Sequence, residues 1–407
     1  QQTTHGGKIT RKDKQELRSR LAKLDAELDR YLAGEYGINV EKQKAFDAWK
    51  ASHEPFHWFV EFYGIMAAGG FDVIIGNPPY VEYKDVCGQY TVRHCETSEC
   101  KNLFAYVLER SARLAPDDGR IGMIVPLSAF STDRMVPLIA DIKTHSSTCH
   151  IANFGWRPGK LFDGVNLPLS IVLMQRGKLQ PKLFSTRYIL WDSVARAELF
   201  TKVQYAEVTD GRLAGSVPKL GLPEAASVLA KLRERKSEIG KCLGRDGRNI
   251  VYYRRGGLYW KVFVDFETGS SEEKLLTLNS GVDKYAIIAA LSSNLWFWYF
   301  TATSDCRHLG NRDISSFPFN PEDIGDSAHK ELSELGRRYV KDLRANAARK
   351  VRVYKGKNAV ECLSFAVKRS KHIIDDIDLL IGGCCGFTAE ELDFVRSYDL
   401  KYRLGDD

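Results

Sequence analysis

The chain has 407 residues, a formal net charge of +7, 44% hydrophobic and 27% charged residues. That is long enough for two or three domains with real cores and ordinary for a soluble globular protein. No apolar run approaches the ~20 residues of a membrane span, and the N-terminal residues carry no signal-peptide core, so neither a spanning helix nor a secretory leader is expected.

The nine cysteines are scattered without a paired C-x-x-C unit, as expected for reduced thiols in the cytoplasm. Cys87, Cys95 and Cys100 flank His94, but their spacing does not match the common zinc classes, so no metal site is predicted. Leu17, Leu21, Leu24 and Leu28 recur at helical spacing and predict one helix over 11–33, ended by Gly34 and Gly37. Residues 38–62 read as helical and aromatic, packing against a sheet.

Phe71 to Gly76 is a short, continuous, β-branched run, which predicts a strand buried on both faces of a parallel sheet. Asn77, Pro78, Pro79 and Tyr80 follow it directly. The two prolines bias the residues before them away from the α region, so the chain leaves the strand stiff and extended. In open α/β sheets ligands bind beyond the carboxyl ends of strands. The Asn77 side-chain carbonyl and the Pro78 backbone carbonyl can accept hydrogens there, and the Tyr80 ring offers a face to stack on. That set suits an exocyclic amine on a flat ring, such as adenine. A polar loop over 81–100 comes next. Helices near 101–115 and 131–144, with strands at 121–125, 149–154 and 167–175, continue the alternation of a doubly wound sheet.

Residues 178–235 read as a mixed connector. From 231 to 261 there are ten Lys/Arg against three Asp/Glu, with Tyr252, Tyr253, Tyr259 and Trp260 among them. Basic residues interleaved with aromatics suit phosphate and base contacts. Residues 284–300, rich in aromatics, read as a core helix. Residues 327–380 read as helices with a basic stretch from Arg344 to Lys357. Thr388-Ala389-Glu390-Glu391 reads as a helix N-cap with an acidic first turn.

Phe71 to Tyr80 resembles motif IV of the gamma-class amino-methyltransferases that modify adenine in DNA. Glu54 to Phe62 resembles the segment that precedes this strand in the large methyltransferases of restriction–modification systems. Asn102 to Ala105, Gly119 to Pro126, and Phe162 to Val165 with Leu169 to Met174 resemble the next helix, strand and late hairpin. Arg254-Arg255-Gly256-Gly257-Leu258-Tyr259-Trp260 and Asp305 to Phe319 resemble the TaqI-type specificity domain.

The resemblance implies a type IIG-like enzyme that transfers a methyl group from S-adenosylmethionine to a flipped-out adenine N6 in double-stranded DNA. It implies catalytic roles for Asn77, Pro78, Pro79 and Tyr80, base stacking by Tyr80 and Phe162, and DNA contacts by Arg254, Arg255, Gly256, Gly257, Tyr259 and Trp260. The family's Gly-rich loop for the methyl donor is missing: Gly6-Gly7 and Gly69-Gly70 lack its spacing. The expected α/β architecture is therefore a partial Rossmann-like methyltransferase sheet without its donor-loop half, an α+β DNA target-recognition domain and C-terminal helices. The expected boundaries are a helical connector over 1–62, the catalytic half over 63–177, the connector over 178–235, the target-recognition domain over 236–330 and helices over 331–407. A cofactor-binding N-terminal segment or partner chain would complete it. Two alternatives stand: a DNA-specificity or assembly module without catalysis, and a methyltransferase acting on RNA or protein glutamine.

Overall fold

The computed structural model describes residues 10–177, 181–209, 216–245, 247–257, 259–352 and 360–405. Gly6, Gly7, Leu258 and the 353–357 end of the basic stretch lie outside the described residues. No helix among the described residues is long and apolar enough to cross a membrane.

Among the described residues, four helices precede the first strand: α1 (Arg11–Glu35), α2 (Gln43–His53), α3 (Trp58–Glu61) and α4 (Tyr63–Ala67). A capping box starts α1: Thr10 Oγ1 accepts from Asp13 N at 3.2 Å, and Asp13 Oδ2 accepts from Thr10 N at 2.8 Å. Its leucine stripe is only partly covered: Leu21 and Leu28 are half-buried, but Leu17 is 58% and Leu24 44% exposed. Only the far end of α1 is packed, where Ala33 meets Phe46 and Trp49. Those two aromatics, expected against the sheet, pack on α1 instead. The buried Asp29 carboxylate reinforces the junction, 2.6 Å from Lys50 Nζ and 2.8 Å from His57 Nε2.

Next come β1 (Val73–Gly76), α5 (Leu103–Leu114), β2 (Arg120–Pro126), α6 (Val136–His145), β3 (Ser146–Phe154) and β4 (Leu169–Arg176). Two further strands, β5 (Lys182–Ile189) and β6 (Ala206–Glu207), fall in the stretch read as a connector. The six-stranded sheet has the order β1-β2-β4-β3-β5-β6. It is mixed, since β1 runs parallel to β2 and β5 antiparallel to β6.

The expectation that β1 is buried on both faces is wrong. Val73 is 57% and Ile75 82% exposed. The strand lies at the end of the sheet, and among the described residues the face carrying Val73 and Ile75 is left exposed. Gly122 and the half-exposed Leu173 continue that bare face: a Cβ on Gly122 would sit 3.4 Å from Leu173 Cδ2 and 3.8 Å from Ile75 Cγ1. A doubly wound sheet would cover both faces.

The chain divides into two compact units. One takes the chain up to Met123 with Pro137–Thr148 and Leu173–Pro181; the other takes Ile124–Val136, Cys149–Val172 and Lys182 onward. The second unit continues through α7 (Pro223–Glu234) to a three-stranded antiparallel sheet. Its strands are β7 (Asn249–Arg254), β8 (Phe263–Val264) and β9 (Glu273–Leu278), in the order β8-β7-β9. The core helix expected over 284–300 is two helices, α8 (Lys284–Ser292) and α9 (Asn294–Thr303). Ser293 breaks it and caps α9, its Oγ accepting from Trp296 N at 3.0 Å. Every residue of α9 is buried.

Beyond α10 (Asn311–Ser315) and α11 (Asp326–Ala345), the helical expectation over 327–380 is interrupted by an antiparallel pair, β10 (Ala347–Arg352) and β11 (Val360–Phe365). The chain closes with α12 (Lys371–Cys385), α13 (Ala389–Ser397) and α14 (Leu400–Leu404). The Thr388 cap is present as a capping box on Glu391.

Candidate active site

The first site grows from the pairing of β1 and β2, which sets Gly76 opposite Met123. A Cβ on Gly76 would sit 2.9 Å from Met123 Sδ, so the strand ends against a thioether with no room for a side chain. Asn77 then emerges exposed, Pro78 is buried, and Tyr80 is half-buried. Tyr80 Oη donates to Asn77 Oδ1 at 2.9 Å. Burial pushes the Tyr80 phenol up to about 12, so it remains a protonated donor at neutral pH.

This bond changes the reading of Tyr80. Sequence reasoning gave work only to its ring face, whereas its hydroxyl orients the Asn77 amide. A carbonyl oxygen has two lone pairs, so one remains for a hydrogen from a bound amine. Among the described residues no donor is bonded to the Pro78 carbonyl.

The turn is fixed from its far side by α5. Leu103 N donates to Val81 O at 3.0 Å and Tyr83 N to Lys101 O at 2.9 Å. Asn102, between those pairs, caps α5 by accepting from Phe104 N at 3.4 Å. The 81–100 loop is tied to the same helix through Glu109, which is 1% exposed. Its carboxylate accepts from Glu96 N at 3.0 Å, Thr97 N at 2.8 Å and Thr97 Oγ1 at 2.7 Å, and lies 2.6 Å from Arg113. Burial alone would raise the Glu109 carboxyl, but the Thr97 and Glu96 donors and the Arg113 charge hold it below its ordinary range. Sequence reasoning missed Glu109. The available signal was one carboxylate on the face of α5 that otherwise buries Tyr106 and Leu108.

Phe162 belongs to the second unit, in the segment between β3 and β4, and is 37% exposed. Among the described residues no three His, Cys, Asp or Glu side chains are grouped to hold a metal ion.

The six residues expected at a DNA surface divide by environment. Arg255 and Gly257 are exposed. Arg254 turns inward: its Nη2 donates to Leu363 O, its Nε is buried without a partner, and its guanidinium lies 5.8 Å from the Phe365 ring. Trp260 donates from Nε1 to Arg403 O at 2.9 Å, and the Arg403 guanidinium covers its ring at 3.9 Å. Tyr259 O accepts from Arg403 Nε at 3.1 Å. Tyr259 and Trp260 therefore hold α14 in place within the second unit, a role sequence reasoning did not give them. Gly256 is pressed on Glu272, whose Oε2 would be 2.1 Å from an added Cβ. Arg254, Gly256, Gly257, Trp260, Glu272 and Phe365 line a cavity of about 210 Å³.

Residues 8–158 match the Eco57I restriction-modification methylase family. The matched stretch contains β1, the Asn77–Tyr80 turn and α5. The chain is also 24% identical, over 264 residues, to a protein of Methanocaldococcus jannaschii named as a type II restriction enzyme and methyltransferase. That likeness covers 58% of this chain and 22% of the relative, so the chain spans about a fifth of its length. Among solved structures, the Type IIL restriction-modification enzyme MmeI in complex with DNA aligns at 11% identity, TM-score 0.40, over 79% of this chain and 56% of that one. The DrdV–DNA complex aligns at 10% identity, TM-score 0.34, over 70% and 46%. The chain is thus similar to restriction–modification methyltransferases.

Proposed function

We propose that this chain carries the amine-binding part of a site-specific DNA adenine-N6 methyltransferase, together with part of its DNA-reading surface. The observation that carries the reading is the Asn77–Tyr80 turn at the carboxyl end of a parallel strand, with the Asn77 carbonyl oriented by the Tyr80 hydroxyl at 2.9 Å. The match of residues 8–158 to a restriction-modification methylase family supports it.

The adenine amine is a weak nucleophile because its lone pair is delocalised into the ring. Asn77 Oδ1 and the Pro78 carbonyl accept its two hydrogens, which draws the nitrogen toward a tetrahedral geometry and localises the lone pair. The acceptors are held before the base arrives, so little reorganisation is needed in the transition state. The target leaves the duplex first, at a cost of a few kcal/mol. Stacking on the Tyr80 ring offsets part of that cost.

The residues present do not fit S-adenosylmethionine. Before β1 the described chain forms only α1 to α4, with no strand–loop–helix to cradle a nucleotide-like methyl donor. The bare face of Val73, Ile75 and Leu173 and the open edge of β1 are where a donor-binding segment would add strands and helices. The test is a methylation assay in the intact protein, comparing Asn77→Ala with the unaltered enzyme on duplex DNA. Undiminished turnover in the variant removes Asn77 from the reaction.

A further inference from the structure

Among the described residues, two lysine amines are buried in the second unit without a carboxylate partner, and both hold backbone. Lys219, 1% exposed, donates to Ser304 O at 2.7 Å. Lys261, 5% exposed, donates to Gly257 O at 2.6 Å and lies 4.7 Å from the Phe300 ring. Burying an unpaired ammonium is costly, so the fold retains these groups against a penalty. The segments they hold are neighbours. Leu309 N donates to Arg255 O at 3.0 Å, which ties the loop after Ser304 to the turn after β7.

The loop is shaped further from within. Cys306 takes a left-handed conformation at φ 57° and its N–H bonds Ser304 Oγ at 3.0 Å. Arg307 N donates to Asp305 Oδ1 at 2.9 Å. With the backbone held this way, Arg255 and Arg307 are both exposed. Arg307 is two residues from the position bonded to Arg255, a chain distance of ~7 Å when extended. Glu272 and Asp305 flank the two arginines, yet neither guanidinium forms an ion pair among the described residues. Arg312, a few residues on, has its guanidinium 3.0 Å from Asp133 and bonded to Ser131 O at 2.8 Å. The chain thus neutralises one arginine of this region and leaves two others open, on backbone that is anchored from beneath.

We propose that Arg255 and Arg307 form a phosphate clamp for duplex DNA, on two segments anchored by Lys219 and Lys261. Arg307 adds a contact that sequence reading did not assign, and Arg254 is replaced by it as the partner of Arg255. The assignment rests on the DNA-methyltransferase reading given above.

The test is duplex binding by the intact protein across a salt series. It compares the unaltered enzyme, Arg255→Ala, Arg307→Ala, the double variant, and Arg20→Ala on α1 as a control. Each clamp variant should lower the slope of log K against log salt by ~0.9, and the double variant by ~1.8. The control should leave it unchanged. Both arginines are exposed, so the variants should fold, and a thermal unfolding curve checks that they do. A double variant with the unaltered slope, while the unaltered enzyme binds DNA, overturns the clamp and leaves the DNA reading intact. If the unaltered enzyme shows no salt-dependent duplex binding, the DNA reading and the clamp fall together.

Discussion

Tyr80→Phe is the most discriminating single change at the candidate site. It removes the 2.9 Å bond to Asn77 Oδ1 and keeps the ring. A net hydrogen bond of this kind contributes about 0.5–1.5 kcal/mol. If it serves to orient the Asn77 carbonyl for the transition state, the loss appears as a two- to twelvefold fall in kcat/KM. Tyr80→Ala loses the same bond and also the stacking platform, worth about 1–3 kcal/mol per base. The sum of about 1.5–4.5 kcal/mol corresponds to a fall of roughly tenfold to two-thousandfold. The assay is methyl transfer from labelled donor to duplex DNA by the intact protein, with DNA affinity measured alongside. Tyr80→Phe should fall between the unaltered enzyme and Tyr80→Ala. Equality with the unaltered enzyme would show that the hydroxyl orients nothing of consequence. Equality with Tyr80→Ala would show that stacking is the wrong account of the ring.

Asn77→Ala should cost two to three orders of magnitude in turnover, about 2.7–4 kcal/mol by analogy with lost oxyanion donors, with DNA affinity nearly intact; a loss of affinity instead would make Asn77 a binding residue. Glu109→Ala should destabilise the fold, because Thr97 N, Thr97 Oγ1, Glu96 N and Arg113 lose a buried partner; a denaturation midpoint like that of the unaltered protein contradicts this. The Glu109 carboxyl is held below its ordinary value, so its contribution is present above the unfolded value of 4.5 and is lost as pH falls through the lower folded value. Burial pushes Lys261 down to about 8 from 10.5, so between those values the unfolded chain binds more protons than the folded one. This residue alone should therefore make stability rise by about 3 kcal/mol from pH 8 to 10.5, and Lys261→Met should remove that rise in paired denaturation curves at pH 7 and above.

The strand and turn at 71–80, the helix at 103–114, the buried helical character of 284–300 (though not its break at Ser293) and the Thr388 cap were all legible. Each rests on local pattern: an apolar run before two prolines, helical spacing, or a capping box. What was not legible depended on partners distant in sequence. Lys182–Ile189 hides its strand because Ser185 and Thr186, both fully buried, are polar. They are satisfied by Asn153, whose Nδ2 bonds Ser185 Oγ at 3.0 Å and whose N–H bonds Thr186 Oγ1 at 2.9 Å. The exposure of Ile75 was unreadable for the opposite reason. An apolar run looks the same whether its cover lies in this chain or elsewhere. At the site, the four residues of the turn were visible but the Tyr80–Asn77 bond was not, since side-chain directions across two prolines are not set by residue types alone. At the proposed DNA surface, composition marked the basic region, yet only the structure separates the exposed Arg255 from Arg254 and Trp260, which bind their own chain.

The central claim is the identity of the atom that receives the methyl group. Duplex DNA incubated with the intact protein and S-adenosylmethionine, digested to nucleosides and analysed by mass spectrometry, tests it most directly. N6-methyladenine is expected from the unaltered protein, at a rate roughly two to three orders of magnitude above that of Asn77→Ala. Methylated cytosine, or methyl groups on RNA or on protein glutamine with adenine in DNA untouched, would contradict it.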